Sequence, residues 1–230
     1  MCKRRPRVRP RTIATLVVAA AVGAITIGSN LPTLLDTAEP SHPAALASGT
    51  PTGVDDIAET QPGRVPAYDR AAFGRAWQDT DRNGCDQRND ALRAAMRDVQ
   101  FRPGTRGCVV AAGVLDDPYT GRTIDFTRGP TTSLAVQIDH IVPLAWAWRQ
   151  GAAEWSDAQR LAFANDPANL QAVDGPANET KSDSGPAEWM PENTAYRCTY
   201  AKRFVTIVGT YGLTLDQPDR AVLTRTLATC

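Results

Sequence analysis

The chain has 230 residues, 42% of them hydrophobic, with 25 basic and 25 acidic side chains. That length and apolar content suit one globular core rather than two. A formal net charge of zero excludes a globally basic nucleic-acid binder, so any contact with a polyanion has to come from a local patch.

The first segment reads as a targeting signal. Lys3, Arg4, Arg5, Arg7, Arg9 and Arg11 precede an apolar run over 13–27. The run is short for a transmembrane helix and slightly long for the core of a signal peptide. Ala45-Leu46-Ala47 offers a cleavage site, and an uncleaved anchor is the alternative. Both readings place the remainder outside the membrane, secreted or at the cell surface, touching the membrane only through an uncleaved N-terminal segment. Residues 1–47 are therefore assigned to the signal peptide or anchor. Residues 48–66, rich in Pro, Ala, Gly, Ser and Thr without an apolar period, are expected to be a disordered linker. Residues 67–230 are expected to fold.

Within that domain the pattern predicts a short helix over 71–78 and a helix over 90–99, with Leu92, Ala95, Met96 and Val99 on one face. An apolar strand over 108–115, a turn at Asp117-Pro118-Tyr119-Thr120-Gly121 and a partner strand over 123–126 form a hairpin. A second strand is expected over 135–142, then helices over 144–150 and 156–163, the latter capped by Ser156. A short strand over 170–173 leads into a helix over 175–182 that has Pro176 in its first turn. A longer amphipathic helix over 195–211 and a last helix capped by Asp216 complete an α+β chain.

Beyond Cys2 there are four cysteines, Cys85, Cys108, Cys198 and Cys230. An even number in an exported chain points to two disulfides, and no Cys-x-x-Cys pair supports a thiolate zinc site. Three pairings are open. Cys85–Cys108 with Cys198–Cys230 is preferred because each bridge then brackets one local segment.

Only His42 and His140 could serve chemistry that needs imidazole, and His42 falls in the targeting segment. His140 lies in Gln137-Ile138-Asp139-His140-Ile141-Val142-Pro143-Leu144. Downstream come Asn165-Asp166-Pro167-Ala168-Asn169-Leu170 and then Asn178-Glu179-Thr180-Lys181-Ser182-Asp183. An isolated Asp-His pair is usually structural, and a Ser-His-Asp hydrolase lacks its Gly-x-Ser-x-Gly elbow here. The combination is specific. It resembles the HNH (ββα-metal) endonuclease superfamily, in its exported bacterial branch, over residues 136–191.

The resemblance implies a strand hairpin and a helix clasping one divalent cation, embedded in additional helices and stapled by disulfides. It puts His140 at the first position of the motif, Asn169 at the middle and Asn178 at the third. His140 would be the general base that activates water for attack on a phosphodiester of DNA, with RNA as the second option. Asn169 would orient His140, and Lys181 would contact phosphate. Asp139 and Asn178 would offer oxygen to Mg²⁺ or Mn²⁺. Neighbours on a strand point to opposite faces, so Asp139 and His140 could share a site only through a local distortion.

Two further features stand apart from the motif. Asp79, Asp81, Asn83, Gly84 and Asp90 mimic the spacing of a calcium loop, so Ca²⁺ at 79–90 is a candidate. Arg88 is a candidate phosphate contact bordering the cleft. Trp146, Trp148, Trp155 and Trp189 are expected to pack in the core rather than stack on bases. The function expected is a metal-dependent endonuclease acting outside the cytoplasm. The alternative is a non-catalytic extracellular calcium-binding module that keeps the fold.

Overall fold

A computed structural model describes residues 53–230 of the chain. The candidate signal, its cleavage site and His42 lie outside the described residues. Among the described residues no helix is long and apolar enough to cross a membrane.

The described part is α+β. Helix α1 (Gln87–Ala95) leads into an antiparallel meander, β1 (Met96–Phe101), β2 (Val110–Asp116) and β3 (Thr123–Thr127). A separate antiparallel pair is formed by β4 (Val136–His140) and β5 (Leu170–Asp174). Between these two strands run α2 (Leu144–Arg149) and α3 (Asp157–Ala164). Helix α4 (Gly175–Lys181) follows β5 directly, and α5 (Arg197–Thr210) and α6 (Gln217–Leu227) end the chain. Apolar side chains of α1, the meander and one face of β4–β5 make one core: Leu92, Met96, Val110, Leu115, Phe126, Val136, Ile138, Leu170 and Ala172. A larger core of aromatic and aliphatic residues joins α2, α3, α5 and α6.

Local capping explains many of the boundaries. Ser156 accepts from the Gln159 amide and Gln159 returns a bond, forming a capping box at the start of α3. The Asp216 side chain caps α6, with Pro218 in its first turn.

Three expectations are corrected. The helix expected over 90–99 is instead α1 followed immediately by β1. The Asp86 carboxylate accepts from the Asn89 amide and starts α1 earlier. From Met96 onward, pairing with β2 (Met96↔Leu115, Arg97↔Val114) overrides the helical period of the side chains. The helix expected over 71–78 shrinks to a single 3-10 turn, Arg70–Phe73, capped by Asp69. It stops at Gly74, whose φ of 74° and close approach to Leu161 exclude a side chain. The linker expected over 48–66 is ordered over 53–60. Val54 and Ile57 are buried in the helical core, and Arg220 on α6 donates to both their carbonyls at 2.6 Å. Two apolar residues were enough to dock a segment whose composition resembles a linker.

The disulfides are Cys85–Cys108 and Cys198–Cys230. The first ties the approach to α1 to the β1–β2 connection, and the second ties the start of α5 to the C-terminus. Closing a loop of 32 residues restricts the unfolded chain most. Replacing Cys198 and Cys230 together by Ser is therefore expected to lower unfolding free energy by roughly 3 kcal/mol. Urea unfolding of the oxidised protein and the double variant measures this, and an unchanged midpoint would show that the bridge adds nothing.

Candidate active site

His140 ends β4, paired with Leu170 of β5. It shares a strand face with Val136 and Ile138, while Gln137 and Asp139 look the other way. Its Nε2 lies 2.8 Å from the carbonyl oxygen of Ala164, at the end of α3. A carbonyl can only accept, so Nε2 carries the hydrogen and Nδ1 keeps its lone pair. Trp77 lies parallel to the imidazole, centroids 6.0 Å apart and planes 11° from each other. Trp77 holds a left-handed backbone (φ 57°), unusual for a bulky residue. The Gln78 amide beside it donates to Asn165 Oδ1 at 2.9 Å, so the strained turn is anchored to the same end of α3.

Burial lowers the His140 pKa to about 4, against the bond to Ala164 and the charge of Asp139, which favour the proton. The charges of Arg70 and Lys181 lower it further. The result is a neutral imidazole near pH 7 in one fixed tautomer.

Asp139 and Lys181 occupy other roles than expected. Asp139 is 5% exposed and Lys181 is fully buried. Lys181 Nζ donates to Asp139 Oδ1 at 3.0 Å and to the His140 carbonyl at 2.9 Å, and Tyr119 donates its hydroxyl to Asp139. A fully buried ammonium cannot reach a phosphate in solvent, so Lys181 is corrected from a phosphate contact to a clamp between α4 and the end of β4. The physical reason is the β alternation: with no distortion at 139–140, the carboxylate faces α4 while the imidazole faces α3.

Asn169 is also fully buried. Its Oδ1 accepts from the Val142 amide at 2.8 Å and its Nδ2 donates to the Val142 carbonyl at 3.2 Å. Its own carbonyl accepts from the Ile141 amide. The residue therefore locks the chain directly after His140. Asn178 donates to Gln137 Oε1 at 2.8 Å, and Gln137 in turn donates to Glu179.

Asp139, His140, Asn178, Glu179, Arg70 and Tyr68 line one open cleft of about 590 Å³ beside β4 and α4. Arg70 and Trp77 were not singled out from sequence. Each lies before α1, far from the motif in the chain, and no local spacing signals their arrival. Arg88 does not line this cleft. It is half-buried on α1, with Nη2 3.5 Å from the Val136 carbonyl at the opposite end of β4.

Of the expected cation ligands, Asn178 keeps its Oδ1 toward the cleft lining, while the Asp139 carboxylate is already engaged. The Asp139 charge is already balanced by Lys181, and a cation there would meet that ammonium at close range. Among the described residues, no group of three or more His, Cys, Asp and Glu side chains could hold a metal. The loop with calcium spacing is closed by hydrogen bonds of its own. Asp79 accepts from the Asn83 and Gly84 amides, and the Asn83 side-chain amide donates to both Asp81 and Asp90. Asn83 Oδ1 accepts from the Cys85 amide. The candidate ligand oxygens thus converge on N–H donors of the loop itself.

Trp146 and Trp148 are buried, and Trp155 and Trp189 pack partly buried against the helical core.

Residues 86–225 match the family of GmrSD restriction endonucleases, C-terminal domain. A protein of Arthroderma benhamiae, described as an uncharacterized secreted protein, is 36% identical over 148 residues, which cover 64% of this chain and 68% of that protein. No solved structure matches the chain. The match spans α1 to α6 and includes every residue around His140 from β4 to α4. The chain belongs to the family of GmrSD restriction endonuclease C-terminal domains, a nuclease family.

Proposed function

We propose that the protein is an exported HNH-type endonuclease that hydrolyses phosphodiester bonds of DNA, with His140 as the general base. The observation that carries this reading is the imidazole itself: neutral, fixed in one tautomer by Ala164, clamped between Trp77 and the backbone locks of Asn169 and Lys181, and placed in an open cleft. The antiparallel β4–β5 pair followed directly by α4 supports the ββα reading. The description of the secreted fungal relative supports export, and the restriction endonucleases named by the family support DNA over RNA.

In this mechanism Nδ1 takes a proton from water. The resulting hydroxide attacks phosphorus, and the bond to the leaving ester oxygen breaks, with that oxygen protonated from solvent. Arg70, in the same cleft, is positioned to offset charge on the phosphate. No step is assigned to a cation, because the Asp139 carboxylate is already engaged by Lys181 and Tyr119.

The test is nicking of supercoiled plasmid by the purified protein across pH. Activity requires neutral His140, so the rate should rise with pH about a midpoint near 4 and stay flat through neutrality. Stability has to be followed in parallel. The unfolded imidazole binds its proton below about 6.5, the folded one only below about 4. Between these values the unfolded chain holds more protons, so stability falls as pH falls. Absence of nicking would overturn the nuclease reading. A midpoint near 6.5 in protein that remains folded would remove the His140 imidazole as its base.

A further inference from the structure

Arg88 and Arg128 form a pair of like charges at the far end of β4 from His140. Both are half-buried, and neither makes an ion pair among the described residues. Arg128 is anchored by Nε to the Val110 carbonyl and by Nη2 to Asn89 Oδ1 at 2.7 Å. Among the described residues Nη1 has no partner, so one edge of the fork is left open. Among the described residues Arg88 is held through Nη2 alone, by the Val136 carbonyl.

Asp86 forms no ion pair with either arginine, although its charge reaches both. Its carboxylate is used by the Asn89 amide and side chain at the start of α1. Burial lowers the pKa of both arginines most; Arg128 lowers that of Arg88 further against a smaller opposing effect of Asp86, while for Arg128 the opposing charge of Asp86 outweighs the guanidinium of Arg102. The Cys85–Cys108 bridge ties the loop after Arg102 to the start of α1, which keeps this row together. Folding has brought arginines within range of one another with no carboxylate paired to them. That is unfavourable in the free protein unless a polyanion balances it.

We propose that Arg88 and Arg128 are a second docking point for backbone phosphate of the nucleic acid, separate from the His140 cleft. β4 spans the two points, so they lie roughly 13 Å apart along the strand. That is about four nucleotide steps of one strand at 3.4 Å each. The guanidinium fork suits phosphate oxygens better than a point charge does. The docking point explains how a chain without net positive charge holds a polyanion, and it carries no base sequence information. This inference rests on the nuclease reading, but its test does not depend on cleavage.

The test is binding of a short DNA duplex by the full-length His140→Ala protein, read as fluorescence anisotropy over a series of salt concentrations. Each arginine that neutralises a phosphate contributes about 0.9 to the slope of log K against log salt. Arg88→Ala and Arg128→Ala should each flatten the slope by about that much, and the double variant by about 1.8. Arg88→Lys and Arg128→Lys should keep the slope. Because Arg128 also holds Val110 and Asn89, its variants are compared only after thermal unfolding shows them folded. An unchanged slope in the double Ala variant overturns the proposal. So does loss of slope in a folded Lys variant, which would mark the arginines as scaffold, and so does a parent that binds no duplex. Binding with the expected slopes by a wild type that never nicks would sink the nuclease reading and leave the docking point standing.

Discussion

His140→Ala is expected to lower plasmid nicking by at least about 10²-fold, the low end of what a positioned general base contributes. The fold should survive. The imidazole is only partly buried, and the strand end it occupies is held independently by Asn169 on Val142 and by Lys181 on the His140 carbonyl. A base acting at Nδ1 has a chemical signature beyond lost activity. Small exogenous imidazole should partly restore nicking by the Ala variant, because truncation leaves space between Trp77 and the end of α3. His140→Gln can still bond the Ala164 carbonyl but cannot take a proton, and it should be as inactive as Ala. Near-wild-type nicking by either folded variant would remove His140 from the chemistry. A fully active Gln variant beside an inactive Ala variant would make the residue a structural tether to α3.

What was legible in the sequence was whatever its local signals determine. Ser156 and Asp216 cap their helices, and Asp117 to Gly121 turn the chain between β2 and β3, because capping and turn chemistry act over a few residues. The disulfide pairing was also local, each bridge closing one short segment. The triplet His140, Asn169 and Asn178 was legible as a motif, and the structure brings its parts to one hairpin and the helix that follows. The rest depended on distant contacts. Met96 and Val99 fit a helical face as well as a strand, and pairing with β2, which lies beyond the local window, decided the matter. Asp79, Asp81 and Asn83 have calcium spacing, but spacing does not show that Asn83 satisfies its neighbours with its own amide. Trp77 and Arg70 reach His140 only because α3 and the segment before α1 pack together. The alternation of β4 sends the Asp139 and His140 side chains to opposite faces, yet both residues border the same open cleft at the end of the strand without a distortion.

Breaking the Asp139–Lys181 pair is expected to destabilise the protein by roughly 3–5 kcal/mol, the range for leaving a buried charge uncompensated. Lys181 is fully buried, and its ammonium is shared between the Asp139 carboxylate and the His140 carbonyl. Asp139→Asn removes the compensating charge but keeps the shape, so the cost falls on an orphaned ammonium and on the Tyr119 hydroxyl that donates to the same carboxylate. Lys181→Met leaves the reverse, a carboxylate that has only Tyr119 as a donor. Combining Asp139→Leu with Lys181→Met removes both charges, and it should cost several-fold less than the sum of the single changes. Urea unfolding of the single and double variants gives that coupling directly. The sign separates two physical pictures. If Asp139 is instead held for a cation, it is repelled by the site's own acidic groups in metal-free protein, and Asp139→Asn should leave the metal-free protein as stable as wild type or more so. Stabilisation by Asp139→Asn, with Lys181→Met nearly neutral, would therefore overturn the clamp and return Asp139 to the role of metal ligand.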